Sequence, residues 1–353
     1  LLPFMVILLG VNLFVKNNMS LKLKKHKLIL FLIIVMLITP KILVSPSFST
    51  LIKLMGKIYP FRNIAIVIET INMRSFYAQS LEDFKNEDIA AVSKYENEVN
   101  ILVIGESARK INHSNYGHNR PTNKYTESLN NEIIKFENVF SASNSTIMSL
   151  KNTLTKKINK NTHTLPHIIK SAGHRAFWIS NQGKYGEHLS LLSMIASTGD
   201  DTVYTNNSDF GGVSYDGRVI PHIKEKLKHK GALFIVVHLL GSHFNYFRRY
   251  PKEFDMFSGS SIPEKSKKEN EVINLYDNSI LYTDYLLLEI IKLLKKQKRS
   301  VSLTYFSDHG EILFDEEYSF YGHGGGRSAT KYELEVPFYI WMNAKYKKTE
   351  RIP

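Results

Sequence analysis

The chain has 353 residues, 43% of them hydrophobic, and 46 Lys and Arg against 33 Asp and Glu give a formal net charge of +13. That length suits one large α/β domain with an appendage. The absence of cysteine excludes a thiolate metal site or a cysteine nucleophile, while leaving the redox compartment open, because a domain of this size folds without disulfides.

The charge is unevenly placed. The first sixty residues hold eight Lys and no acid, so +8 of the +13 lies there and no nucleic-acid surface is expected. The sequence begins on Leu1, as a fragment or an unusual start codon would give. Two apolar runs, 1–15 and 28–44, flank a stretch carrying Lys16, Lys22, Lys24, Lys25 and Lys27. The second run is near the lower limit for a membrane span. Residues 1–46 are therefore expected to be transmembrane, with the basic loop cytoplasmic by the positive-inside rule. A cleaved signal peptide is the competing expectation, but two runs and no small-residue cleavage site after Val44 count against it. The rest of the chain then falls outside the inner membrane, in the periplasm of a two-membrane bacterium. Residues 47–97, with Phe48, Leu51, Leu54, Met55 and Ile58 at helical spacing, read as juxtamembrane linker helices; a solvated linker fits the same pattern.

Residues 98–353 are expected to form the soluble domain. An apolar strand, Asn100–Ile104, runs into Gly105-Glu106-Ser107, followed by a polar, turn-rich stretch to Thr126. A strand-like piece at Phe136–Phe140 precedes Asn144-Ser145-Thr146, where a helix is expected to start and run to Leu154. A hydroxyl there is an ordinary N-cap, and equally a place where free amides and the helix dipole would hold a phosphoryl group. Ala176–Ser180 reads as a strand ending in Asn181-Gln182-Gly183, and Ser214–Lys228 as a helix. Leu233–Leu239 is a strand running into Gly241-Ser242-His243, and Glu271–Lys296 a long amphipathic helix. Val301–Phe306 is a strand running into Ser307-Asp308-His309-Gly310-Glu311; Tyr321-Gly322-His323-Gly324 and a last strand, Val336–Met342, follow. Alternating strands and helices predict a layered α/β/α sandwich with a mostly parallel central sheet.

A lone Asp-His pair after a strand is most simply a capped turn. Here three strands, far apart in sequence, each end in a glycine-flanked Glu, His or Asp-His. In a parallel sheet such ends lie side by side, so Glu106, His243, Asp308 and His309 can converge on one metal.

Taken together, Ile104–Arg109, Asn115-Tyr116-Gly117-His118-Asn119-Arg120-Pro121, Asn144–Thr146, Gly241–His243, Ser307–Glu311 and Tyr321–Gly324 resemble the membrane-bound phosphoethanolamine transferases of the alkaline phosphatase and sulfatase superfamily. The resemblance covers roughly residues 100–342, with the motifs in the family's order. It implies a zinc site of Glu106, Thr146, Asp308 and His309, a donor set that suits zinc and eases deprotonation of the Thr hydroxyl. It implies that Thr146 is the nucleophile, taking phosphoethanolamine from phosphatidylethanolamine, releasing diacylglycerol, and passing the group to a lipopolysaccharide or lipooligosaccharide acceptor, lipid A phosphate or a core sugar. Transfer to lipid A would weaken the binding of cationic antimicrobial peptides. His243 and His323 match positions that contact the phosphoryl group or a second metal, as catalytic and substrate-binding groups. His118 has no assigned role, and the remaining histidines are read as structural. A monomer is expected.

Several relatives have proline where Lys151 stands, many carry disulfides, and full-length relatives usually have about five membrane spans. A true sulfatase would need a modified Cys or Ser followed by Pro and Arg, which do not occur around Thr146. A phosphoglycerol transferase of the lipoteichoic-acid-synthase kind remains an alternative. A dead, membrane-anchored binding protein is the other, although Glu106, Thr146, Asp308 and His309 are all present.

Overall fold

A computed structural model describes residues 89–350 apart from 130, 159–160, 184–189, 207–212, 261, 317 and 325–327. The expected membrane segment 1–46, and the linker as far as residue 88, lie outside the described residues. Among the described residues no helix is long and apolar enough to cross a membrane.

The described chain begins with β1 (Glu98–Gly105), a stretch of turns and 3-10 pieces, β2 (Ile133–Lys135) and α1 (Thr146–Leu154). A hairpin of β3 (Thr155–Ile158) and β4 (Asn161–Thr164) leads through α2 (Leu165–Ser171) into β5 (Arg175–Gly183), α3 (Ser190–Ser197) and β6 (Asp201–Asn206). Next come α4 (Val219–Lys226), β7 (Leu233–His238), the long α5 (Lys267–Lys295) and β8 (Ser300–Ser307). A short pair, β9 (Ile312–Leu313) and β10 (Tyr321–Gly322), precedes α6 (Lys331–Leu334), β11 (Phe338–Met342) and α7 (Ala344–Glu350).

Seven strands form one sheet in the order β2-β11-β8-β1-β7-β5-β6. The run from β8 to β6 is parallel, and β11 pairs antiparallel with both β8 and β2. β1, in the middle, is apolar on both faces because both faces are covered. Val99, Ile101 and Val103 pack with Val219 and Ile223 of α4 and Leu287, Ile290 and Leu294 of α5. Leu102 and Ile104 pack on the other side with Leu150 and Leu154 of α1 and Leu191 and Ile195 of α3. This is the expected α/β/α layering.

α5 departs from the amphipathic expectation. Its N-terminus is a capping box in which Ser266 and Glu269 satisfy each other's backbone amides, but its polar residues are buried too. Asp277 accepts hydrogen bonds from Asn112 and Arg120, and Asp284 from Thr126 and the Tyr125 amide. Asn278 accepts from the amides of Met256 and Phe257. The turn-rich stretch after β1 thus spends its donors on the helix face that would otherwise meet water. Burial pushes the Asp284 carboxyl up to about 6 despite those bonds.

Two expected elements are placed differently. The strand expected at Phe136–Phe140 lies upstream as β2, whose register on β11 pairs Ile133 with Trp341; Glu132 accepts the Trp341 indole hydrogen beside it. Phe140 keeps only an isolated bridge to Glu335. The helix expected over Ser214–Lys228 opens with a 3-10 turn, Asp216–Arg218, and becomes α-helical at Val219, with Pro221 in the first turn, where its missing amide costs nothing. Sequence patterning did not anticipate β3, β4, β6, α2, α3 or α6, all short.

Ile290 on α5 is fully buried against the sheet. Ile290→Ala is expected to lower unfolding free energy by about 2–5 kcal/mol, measured as a shifted urea midpoint with an unchanged slope.

Candidate active site

The register of the central strands sets the site. Gly105 pairs with Ser307, and Ile104 with His238, so the chain leaves β1, β8 and β7 at one edge of the sheet. Glu106 and Asp308 are therefore neighbours. The turn after β1 is tight: Ser107 has φ 55, its amide donates to Asp308 Oδ1 at 3.0 Å, and Tyr276 of α5 donates to its carbonyl. Gly241, after β7, has φ +49 and lies so close that a Cβ there would sit 2.8 Å from the Glu106 nitrogen. Only glycine meets both demands.

Thr146 is the first residue of α1. Ser145 at the N-cap makes no side-chain cap bond, so the ordinary capping role is not realised. Thr146 Oγ1 instead lies 3.3 Å from Glu106 Oε2, 3.5 Å from Glu106 Oε1 and 3.3 Å from His309 Nε2. Ser149, one turn on, donates to the Asp308 carbonyl and fastens α1 to this strand end.

His309 Nδ1 is 2.8 Å from the Gly310 carbonyl oxygen, which can only accept, so Nδ1 carries a hydrogen and Nε2 is the ring nitrogen turned to the cluster. Nε2 faces Glu106 Oε1 and Asp308 Oδ2, each at 3.4 Å. Asp308 Oδ2 is buried without a hydrogen-bond partner. Burial, and then the Asp308 charge, push the Glu106 carboxyl well above the usual carboxylate range. A cation would relieve both strains. Ligands about 2.0–2.1 Å from a tetrahedral zinc are about 3.3–3.4 Å apart, the spacing these donors already have. Glu106, Asp308 and His309 form one group able to hold a metal ion.

A second group is His309, Glu311 and His323. His323 Nδ1 lies 2.7 Å from Glu311 Oε2, and Tyr246 donates to Glu311 Oε1 at 2.7 Å. The second metal was expected beside His243 and His323; among the described residues it is Glu311, not His243, that completes a donor group with His323. Burial lowers the His323 pKa, but the bond and charge of Glu311 outweigh it and the net shift is upward. His243 is pushed down to about 3 by burial and then by Arg249, whose guanidinium donates to the His243 carbonyl. It therefore stays neutral at pH 7. His118 bonds Asp277 beside Arg120, a structural place. Buried His238, edge-on to Trp178, is pushed down to about 4 by burial.

Sequence reading assigned no role to Gln182, Glu311, Tyr246 or Arg249. Gln182 donates to Glu106 Oε2 and to the Leu239 carbonyl, bracing the acid from the end of β5. Its signal was available in Asn181-Gln182-Gly183, another polar strand ending. Tyr246 and Arg249 carry no motif.

A mostly parallel α/β sheet with a carboxylate, imidazole and hydroxyl cluster at its strand ends defines a domain of the alkaline-phosphatase type. The sulfatase family pattern matches residues 99–352, and the chain belongs to that family. It is 31% identical over 283 residues to phosphoethanolamine transferase EptC of Escherichia coli, covering 76% of this chain and 48% of that protein. It is 33% identical over 261 residues to phosphoethanolamine transferase EptA of Helicobacter pylori, covering 71% and 49%. The chain thus spans about half the length of the curated relatives it matches. The crystal structure of the C-terminal periplasmic domain of Escherichia coli EptC in complex with Zn superimposes with a TM-score of 0.67 at 29% identity, covering 75% of this chain and 77% of that one.

A raised His323 pKa stabilises the fold fully below the unfolded value of about 6.5, and the contribution is lost as pH rises through the folded value. In metal-free protein, Glu311→Gln is expected to make His323 titrate at lower pH by NMR. The stability gap to wild type should be widest below about pH 6.5 and shrink above it.

Proposed function

We propose that the chain is a zinc-dependent phosphoethanolamine transferase that moves phosphoethanolamine from phosphatidylethanolamine to a lipopolysaccharide or lipooligosaccharide acceptor through a covalent intermediate on Thr146. The observation that carries this reading is the Thr146 hydroxyl, set at 3.3 Å from both Glu106 Oε2 and His309 Nε2, two members of a donor group that Asp308 completes. The kinship with EptC and EptA supplies the group transferred, and the Zn complex of the EptC domain supports the choice of metal.

Glu106, Thr146, Asp308 and His309 would hold the zinc, which when bound supplies Lewis-acid stabilisation of charge on oxygen. In the first half-reaction the Thr146 Oγ–P bond forms and the P–O bond to diacylglycerol breaks. The Thr146 proton passes to solvent, and protonated His323 donates one to the leaving alkoxide. In the second, an acceptor hydroxyl attacks phosphorus and the Thr146 Oγ–P bond breaks; the proton the acceptor loses passes to His323, and solvent returns the one that Thr146 gave up. Neutral His243 serves as a hydrogen-bonding group for the phosphoryl oxygens.

In this reading residues 98–353 are a periplasmic catalytic domain, 47–97 the linker and 1–46 the inner-membrane anchor of a monomer. The acceptor is lipid A phosphate or a core sugar, and its modification would lower sensitivity to cationic peptides.

Zinc-loaded protein incubated with mixed phospholipids is expected to carry a phosphoethanolamine adduct on the Thr146 peptide by mass spectrometry, absent in Thr146→Ala. A phosphoglycerol adduct would instead identify the donor as phosphatidylglycerol. Asp308→Ala should lose bound zinc, and its turnover should fall on the order of 10²–10³-fold, the scale of losing one group that stabilises the transition state.

A further inference from the structure

Fully buried Glu333 lies in α6, far in sequence from Glu106 and Thr146 and ten residues beyond His323. Its Oε2 has an ordinary occupation: it accepts from the Thr330 amide at 2.9 Å and the Thr330 hydroxyl at 3.1 Å, the capping box of that helix. A capping box needs one carboxylate oxygen. The other, Oε1, accepts from Asn144 Nδ2 at 3.0 Å and from the Gly324 amide at 2.9 Å. Asn144 is two residues before Thr146, and Gly324 immediately follows His323. The Glu333 carbonyl also accepts from the Gly310 amide, next to His309, at 2.6 Å. Gly310 is pressed so closely on α6 that a Cβ would sit 2.2 Å from the Tyr332 carbonyl oxygen.

One residue therefore touches the three segments that carry Thr146, His309 and His323. The carboxylate is a fitting choice: a single ionised oxygen accepts two hydrogen bonds, each stronger than a neutral acceptor would make.

We infer that Glu333 is a positioning residue for the transfer reaction, holding the Thr146 segment and the His323 loop in register with the His309 strand end. The inference rests on the proposed function for its kinetic readout but not for its structural one. Glu333→Ala removes both anchors of Oε1, and a shift of about 1 Å at Thr146 would slow adduct formation on the order of 10²-fold. Glu333→Gln keeps a carbonyl oxygen for Asn144 and Gly324 and should recover most of that loss.

The test uses the full chain, zinc-loaded, with metal content measured for each variant. Glu333→Ala is expected to keep its zinc, to lower kcat on the order of 10²-fold with little change in KM, and to show Thr146 displaced in a crystal structure. Thr330→Ala, which weakens only the cap, should lower the thermal midpoint while leaving kcat within about threefold of wild type. Combining Glu333→Ala with Asn144→Ala should cost less than the product of the two losses, as groups in one network do. Glu333→Ala with Thr146 unmoved, or with wild-type kcat per bound zinc, would overturn the inference. Thr330→Ala matching Glu333→Ala would reduce Glu333 to a helix cap and overturn it equally. If wild type itself forms no adduct, the transferase reading falls, and the position of Thr146 in Glu333→Ala still decides the role of Glu333.

Discussion

Two carboxylates side by side in a dry interior are the constraint on which this structure turns. Parallel pairing of β1 with β8 leaves Glu106 and Asp308 adjacent at the strand ends, both buried. Like charges so placed cannot both ionise without help, since desolvation and mutual repulsion act in the same direction. The fold answers part of the demand with fixed donors. The Ser107 and His309 amides serve Asp308 Oδ1, the Ser107 hydroxyl serves Glu106 Oε1, and Gln182 serves Glu106 Oε2. What is left unanswered is Asp308 Oδ2, which has no hydrogen-bond partner and faces His309 Nε2.

That geometry is held from behind by α5. Tyr276 donates to the Ser107 carbonyl and accepts from the Arg109 amide, closing the turn that carries Ser107 at positive φ. Four places along α5, at Tyr276, Asp277, Asn278 and Asp284, satisfy loops rather than water. A buried polar group costs free energy unless it is paired. Each pairing therefore fixes a loop position as well as the helix, and the site inherits that rigidity.

Much of this was readable from the sequence because the relevant signals are local. Apolar runs ending in Gly-Glu, Gly-Ser-His and Asp-His-Gly announced both the strands and their polar ends, and the sheet's parallel pairing brought Glu106, Asp308 and His309 together. Thr146 was ambiguous, since a helix N-terminus explains a hydroxyl equally well; only its distances to Glu106 and His309 separate the two uses. The supporting residues were not legible for a physical reason. Glu333 acts through contacts to Asn144, Gly324 and Gly310, and Arg249 through the His243 and Phe244 carbonyls, and nothing in their neighbours' pattern marks such contacts; Gln182 alone was marked, by the polar end of its strand. The polar face of α5 looked solvent-facing because sequence periodicity records which residues are apolar, not what covers the remainder. β2 slipped from its expected place because Phe136 and Phe140 flank charged and polar residues, while the pairing partner that fixes register, Trp341, is two hundred residues away.

The order in which the sheet's strands are made has a further consequence. β1 occupies the middle of the sheet, yet it comes off the ribosome first, and its neighbours β7 and β8 begin only at Leu233 and Ser300. At about 5–20 residues per second, the strand that ends up most protected waits roughly 10–40 s for both partners. Until β7 is made, a segment apolar on both faces has neither neighbour, and one of its edges stays open to any other extended chain until β8 follows. The arrangement that shelters the two buried acids in the finished molecule thus makes the nascent chain dependent on whatever shields it from its neighbours.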